Sequence, residues 1–170
     1  MTYVQGFPPI CRPDARILIL GSMPSRESLA RQQYYAHPRN AFWPIITALL
    51  EIDTDVYEER VEQVMRHGLA IWDVLQACFR SGSLDSAIDD NSLVVNDFDA
   101  FLRDHRCIRR VFFNGAKAEA VYRKHALPGL KGSAATLPLR RLPSTSPAHA
   151  GMSVQQKTAA WRVVLDDIVE

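Results

Sequence analysis

Ala15–Gly21 (ARILILG) is a short aliphatic run that ends on a glycine, which reads as a buried β-strand. Three later stretches have the same character: Leu69–Leu75 (LAIWDVL), Arg109–Asn114 (RRVFFN) and Thr136–Leu142 (TLPLRRL), the last weakened by Pro138. Helical patterns fall between and after them. Pro44–Leu50 is apolar. Asp55–Arg66 carries Tyr57, Val61, Val64 and Met65 at helical spacing, with Asp55 and Glu58 as a capping box and Gly68 as the stop. Asn96–His105 gathers Phe98, Phe101 and Leu102 on one side, and Gly115 opens a helix to about Ala126. Ser153–Val169 has Ser153 and Gln156 as a capping box and Val154, Trp161, Leu165 and Ile168 as its apolar stripe. Ser22–Asn40 reads mainly as a long loop, Gln76–Asn91 as a polar loop and Pro143–Gly151 as a turn-rich one. Strands that alternate with helices predict an α/β fold of three layers, a four-stranded parallel sheet flanked by helices, in one domain over residues 1–170.

A chain of 170 residues that is 47% hydrophobic and 23% charged has the composition of a soluble globular protein. No apolar run approaches the ~20 residues needed to span a bilayer. The first 15 residues lack a basic stretch followed by an apolar one, so no export signal is expected and the cytoplasm is the expected compartment. Cys11, Cys78 and Cys107 are far apart in sequence and read as buried, reduced thiols. The net charge of +1 hides a segregation. Residues 1–102 hold 8 basic and 14 acidic side chains, whereas residues 103–170 hold 12 and 5. A basic half suits a phosphate-facing surface, and charge-segregated solvated faces are the alternative.

In open parallel sheets the working site lies beyond the carboxyl ends of the strands. That rule selects Gly21–Ser25, Asp73 and its loop, Asn114–Gly115, and Pro143–His149. Gly21–Ser25 has neither the glycine spacing nor the lysine of a phosphate loop, so no nucleotide cofactor is expected. The five histidines show no metal-ligand spacing with Cys, Asp or Glu, and no metal site is expected. Ser144 and Ser146 lack the GxSxG elbow of a hydrolase triad.

Six segments in order resemble the uracil-DNA glycosylase superfamily, and most closely its deoxyinosine (hypoxanthine) branch: LGSMPS (20–25), YYAHPRNAFW (34–43), WDVL (72–75), GSLDSAI (82–88), FFNGAKA (112–118) and LPSTSPA (142–148). The resemblance implies a uracil-DNA glycosylase-like fold that cuts the N-glycosidic bond of a deaminated base in DNA without metal or other cofactor. The implied partner is double-stranded DNA containing that base. A monomer with no membrane association is the default for a small domain without heptads.

Such an enzyme must take the target nucleotide out of the stack and give the base an aromatic face. The resemblance gives Tyr35 the stacking role and treats Phe42 and Trp43 as core. It places the catalytic, water-orienting amide at Asn40, which is also positioned to cap the helix that follows. Gly21, Ser22 and Met23 line the base. Met23 stands where many relatives carry Asp or Asn, and Leu142 where the best-known uracil enzymes carry His, so two polar groups are missing here. Asp73 would read the base edge as an acceptor, with a local loop cap as its alternative, and Asn114 could supply a donor. Ser25, Ser144, Ser146 and His149 are placed to contact phosphates. A uracil-preferring enzyme and a non-catalytic binder of damaged DNA stay open as alternatives, because Met23 and Leu142 are apolar.

If the basic residues of 103–170 face phosphates, the logarithm of the DNA-binding constant falls linearly with the logarithm of salt concentration, with a slope of magnitude above about 2. A salt titration that returns a slope near zero would contradict phosphate neutralisation.

Overall fold

Ile17, Leu18, Ile19 and Leu20 are wholly inaccessible, and successive side chains enter opposite cores. The computed structural model describes residues 1–168 and places these four in β2 (Ile17–Gly21). Strand β2 pairs in parallel with β3 (Leu69–Asp73) and with β6 (Arg110–Asn114), and β6 pairs in parallel with β7 (Leu139–Leu142). The order β3-β2-β6-β7 gives a four-stranded parallel sheet among the described residues, as the alternation of patterns predicts. The register puts Gly21 opposite Asp73 and Asn114 opposite Leu142, so the strands end together along one edge.

Both faces are covered. On one, Ile17, Ile19, Ile71 and Phe112 pack with side chains of α2 (Phe42–Leu50), α3 (Tyr57–Arg66) and α6 (Val154–Trp161). On the other, Leu18, Leu20, Trp72 and Phe113 pack with α4 (Phe98–Asp104) and α5 (Ala116–Val121). Phe98, Phe101 and Leu102 are buried as their spacing predicts, and Phe42 and Trp43 are core. The Ser153–Gln156 capping box is present. Beyond Trp161 the helix tightens into a 3-10 segment, Arg162–Asp167; Val169 lies outside the described residues.

Several expectations are corrected. Gln76–Asn91 is not simply a loop. The second strand ends at Asp73 rather than Leu75, and after Val74 β4 (Leu75–Arg80) runs antiparallel to β1 (Thr2–Gln5) and to the two-residue β5 (Val94–Val95), forming a second sheet. Its residues do not alternate cleanly because the register shifts between Leu75 and Ala77. Its partners also lie far away along the chain. Ser22–Asn40 contains α1 (Arg26–Arg31), whose cap is Ser25. Asp55 and Glu58 form no capping box. Helix α3 starts from Val56 without a side-chain cap, and Thr54 instead accepts from the Val56 N–H. Thr136 belongs to a 3-10 turn, Gly132–Thr136, so the last strand is shorter than its apolar pattern. The helix after Gly115 turns into a π-helical segment at Tyr122–Ala126. Val154 is exposed rather than part of an apolar stripe, because it sits in the first turn before α6 meets the sheet. Of the three free thiols only Cys78 is buried; Cys107 is exposed.

Gly115 joins β6 to α5 at φ +96°, ψ 172°, a conformation essentially reserved for glycine. A Cβ there would lie 3.0 Å from the Cβ of Ser144. Gly115→Ala should therefore cost on the order of 1–3 kcal/mol, read as a lower urea midpoint with an unchanged slope.

Candidate active site

The common edge of β2, β3, β6 and β7 opens into a cavity of about 330 Å³. Gly21, Ser22, Met23 and Ser25 from the first strand's loop reach it, with Asp73 from β3, Asn114 from β6, and Ser144, Ser146 and His149 after β7. Tyr35 and Asn40 also line it, so all the residues proposed from sequence for catalysis, base and phosphate binding surround one space. Leu142 is buried at the end of β7 and does not.

Gly21 sets the closeness of this edge. A Cβ at position 21 would stand 2.6 Å from Asp73 Oδ1 and 3.0 Å from the Tyr35 hydroxyl. Tyr35 itself adopts a left-handed backbone, φ 56°. Its ring stacks on Phe42 at 3.9 Å and 20°, which backs one aromatic face with the core. Its hydroxyl is buried with no hydrogen-bond partner among the described residues. Burial and the neighbouring Asp73 push this phenol well above the usual tyrosine range, so it stays protonated.

Asn40 precedes α2. Its Oδ1 accepts from the Phe42 N–H at 2.9 Å, which fixes the amide plane at the start of the helix. The cap residue of α2 is Ala41, without a side-chain cap bond, so Asn40 is not the cap expected from sequence; it makes an Asx turn one residue earlier, which leaves the Nδ2 group and one Oδ1 lone pair uncommitted. Asp73 is 4% exposed, and its Oδ2 has no partner among the described residues. It makes no cap with local backbone N–H groups. Burial pushes its carboxyl up to about 7; Asp85 adds to the shift and Arg80 opposes it.

Asn114 is engaged with Thr145. Its Oδ1 accepts from the Thr145 N–H and its Nδ2 donates to Thr145 Oγ1, both at 2.9 Å. The Thr145 carbonyl in turn accepts from the Ala41 N–H at 2.9 Å. One buried threonine therefore ties β6, the loop after β7 and the start of α2 together. The hydroxyls of Ser144 and Ser146 accept from the backbone N–H two residues on, at 3.1 and 3.2 Å, and each keeps its own proton for an outside acceptor. Ser25 accepts from the Ser28 N–H as the cap of α1. His149 is exposed at the rim.

Ser83 and Asp85 in the cavity wall, and Lys157 behind it, had no role from sequence. Ser22 donates to Asp85 at 2.5 Å, and Ser83 accepts from the Arg26 N–H at 2.9 Å. These bonds fasten the segment Ser83–Ser86 across the cavity, which gives the GSLDSAI motif its physical reason. Lys157 on α6 is buried, with its ammonium 3.4 Å from the Ser146 carbonyl. Nothing in the letters STS distinguishes Thr145 from its flanking serines, and Lys157 looks like any helix-surface lysine. No group of three or more His, Cys, Asp or Glu side chains among the described residues is arranged to hold a metal ion. No helix among them is long and apolar enough to cross a membrane.

The model of the uracil DNA glycosylase superfamily matches residues 8–167. A hypoxanthine DNA glycosylase of Methanosarcina acetivorans is 34% identical over 162 residues, covering 94% of this chain and 96% of that protein. A hypoxanthine DNA glycosylase of Methanosarcina barkeri is 35% identical over 116 residues, 67% of this chain and 72% of that one. A solution NMR structure from M. acetivorans, described as a candidate uracil DNA glycosylase, superimposes with a TM-score of 0.80 at 31% identity, over 99% of this chain and all of that one.

Thr145→Val removes a hydroxyl and leaves an Asn114 donor unpaired in a buried place, a loss of about 1–3 kcal/mol. Combined with Asn114→Ala, the losses should fall short of additivity by roughly 0.5–3 kcal/mol in a urea double-mutant cycle. Additive losses would mean that the two side chains act separately.

Proposed function

This chain belongs to the uracil-DNA glycosylase superfamily, and on that premise we propose that it excises deaminated bases, hypoxanthine above all, from double-stranded DNA by hydrolysing the N-glycosidic bond. The observation that carries the reading is the meeting of Tyr35, Asn40 and Asp73 around one cavity of about 330 Å³ at the sheet edge. The two relatives named as hypoxanthine DNA glycosylases support the choice of base.

The cavity is large enough for one flipped nucleotide base and too confined for a duplex, so the target leaves the stack before reaction. Tyr35 offers the face opposite Phe42, and that backing holds the ring against the incoming base. Bond breaking leaves positive charge on the sugar, and water completes the reaction. Asn40, whose amide is locked by the Phe42 N–H, orients that water and sets a dipole beside the sugar. As a neutral amide it does not take the proton outright. Gly21, Ser22 and Met23 form the wall against the base. Ser25, Ser144, Ser146 and His149 meet the flanking phosphates, the two later serines with the protons that their local bonds leave free. Asn114 holds the loop that carries Ser144 and Ser146, and its side chain also neighbours the Tyr35 hydroxyl beside the base. The protein acts as a monomer, and the cytoplasm is its proposed compartment.

Duplexes with a single hypoxanthine or uracil, treated with the protein and then with alkali, should break at the modified site, faster with hypoxanthine. Intact strands from both duplexes, with binding retained, would favour a non-catalytic binder. Asn40→Ala should lower the single-turnover rate on the hypoxanthine duplex by about 10²–10⁴-fold. An unchanged rate would reduce Asn40 to the local turn before α2.

A further inference from the structure

Two buried polar atoms at the cavity lack partners among the described residues: Asp73 Oδ2 and the Tyr35 hydroxyl. The other carboxyl oxygen, Asp73 Oδ1, and the Tyr35 hydroxyl crowd the backbone of Gly21. Among the described residues no ion pair compensates Asp73 there. The nearby guanidinium of Arg80 gives its Nη2 to the Pro24 carbonyl at 2.6 Å. A second carboxylate, Asp85, is fastened to Ser22, the neighbour of Gly21. A buried carboxyl facing another carboxylate, without a bonded cation, is one whose charged form is disfavoured.

The base edge imposes a matching demand. Hypoxanthine presents the N1–H donor beside the C6 carbonyl acceptor. An ionised carboxylate offers acceptors only, and sets lone pairs against the carbonyl. A carboxylic acid offers one acceptor and one donor.

We propose that Asp73 reads hypoxanthine as a neutral carboxylic acid, accepting from N1–H on one oxygen and donating its own O–H to the C6 carbonyl. This rests on the base-excision reading above. The groups that face Asp73 are consistent with it. Asp85 from the turn after β4 favours the protonated form, and Arg80 from β4 opposes it. Tyr34 and Tyr35, from the segment before α2, stay uncharged because burial raises both phenols. The balance holds the Asp73 carboxyl at about 7, so the competent form is depleted as pH rises. The missing donor implied by Met23 and Leu142 is then supplied by a residue that sequence shows only as an acceptor.

The test is the pH profile of kcat/KM for hypoxanthine excision, which reports the free enzyme. Between pH 6 and 9 the parent should lose roughly hundredfold, about tenfold per unit above the midpoint. Asp73→Asn keeps one donor and one acceptor at every pH, and its own profile should be flat within about threefold over the range. Asp85→Asn removes the repelling charge and should move the parental fall to lower pH. A rate that rises with pH in the parent and is abolished in Asp73→Asn would overturn the proposal and make the ionised carboxylate the working form. An Asp73→Asn profile that falls like the parent's would overturn it too. Should that variant not fold, the ¹³C carboxyl resonance of Asp73 in the parent decides: titration near neutrality is expected, and ionisation complete by pH 5 overturns it. A parent that excises nothing at any pH fails the excision reading and takes this proposal with it, whereas an active parent with a flat or rising profile fails the Asp73 assignment alone.

Discussion

The empty space at Gly21 is the constraint on which the cavity depends. Three groups converge there: a backbone that ends the central strand, a carboxyl from the neighbouring strand and a phenol from the segment before α2. Any side chain would displace Asp73 or Tyr35, and with Tyr35 the stack on Phe42. The parallel register brings the first two together, because Gly21 and Asp73 are direct partners across β2 and β3. The left-handed backbone at Tyr35 brings the third. A non-glycine residue with φ near +56° carries some strain, and the packing of its ring on a wholly buried phenylalanine offsets it.

A second organising element is Thr145. Its side chain and both of its backbone polar groups are spent on the fold. The serines on either side also accept through their hydroxyl oxygens, but they are less buried and their protons can face outward. The loop is thus divided between one residue that anchors and two that face outward. The buried ammonium of Lys157 adds positive charge behind the same loop, at the carbonyl of Ser146.

Strands β2, β3 and β6 were legible in the sequence because they are short, largely apolar and buried on both sides; β7, whose Arg140 and Arg141 are exposed, was legible only as a weaker fourth run. The Ser153 cap was legible because both halves of a capping box stand three residues apart. The capping box expected at Asp55 failed on the same kind of pattern, since Thr54 lies close enough to take over. The second sheet was not legible. Strand β4 mixes Gln, Cys and Arg, and its partners come from residues 2–5 and 94–95. Such pairing is written in tertiary packing rather than in local periodicity. Around the site, the strand-end rule and the family motifs found the residues that line the cavity, but not how they are joined. Asn114 shows this best. Its position at the end of β6 was readable, whereas its bonds to Thr145 required the fold.

The second sheet has a consequence for how this protein can diversify. Residues 81–93 leave β4 and return at β5, and Ser83–Ser86 in that excursion form one side of the cavity. Neither β4 nor β5 belongs to the parallel sheet. Insertions or deletions in the excursion would change the depth of the cavity while leaving Gly21, Asp73, Asn114 and the strands beneath them in register. Cavity depth and framework are thus carried by separate segments of the chain, and selection can retune one without dismantling the other.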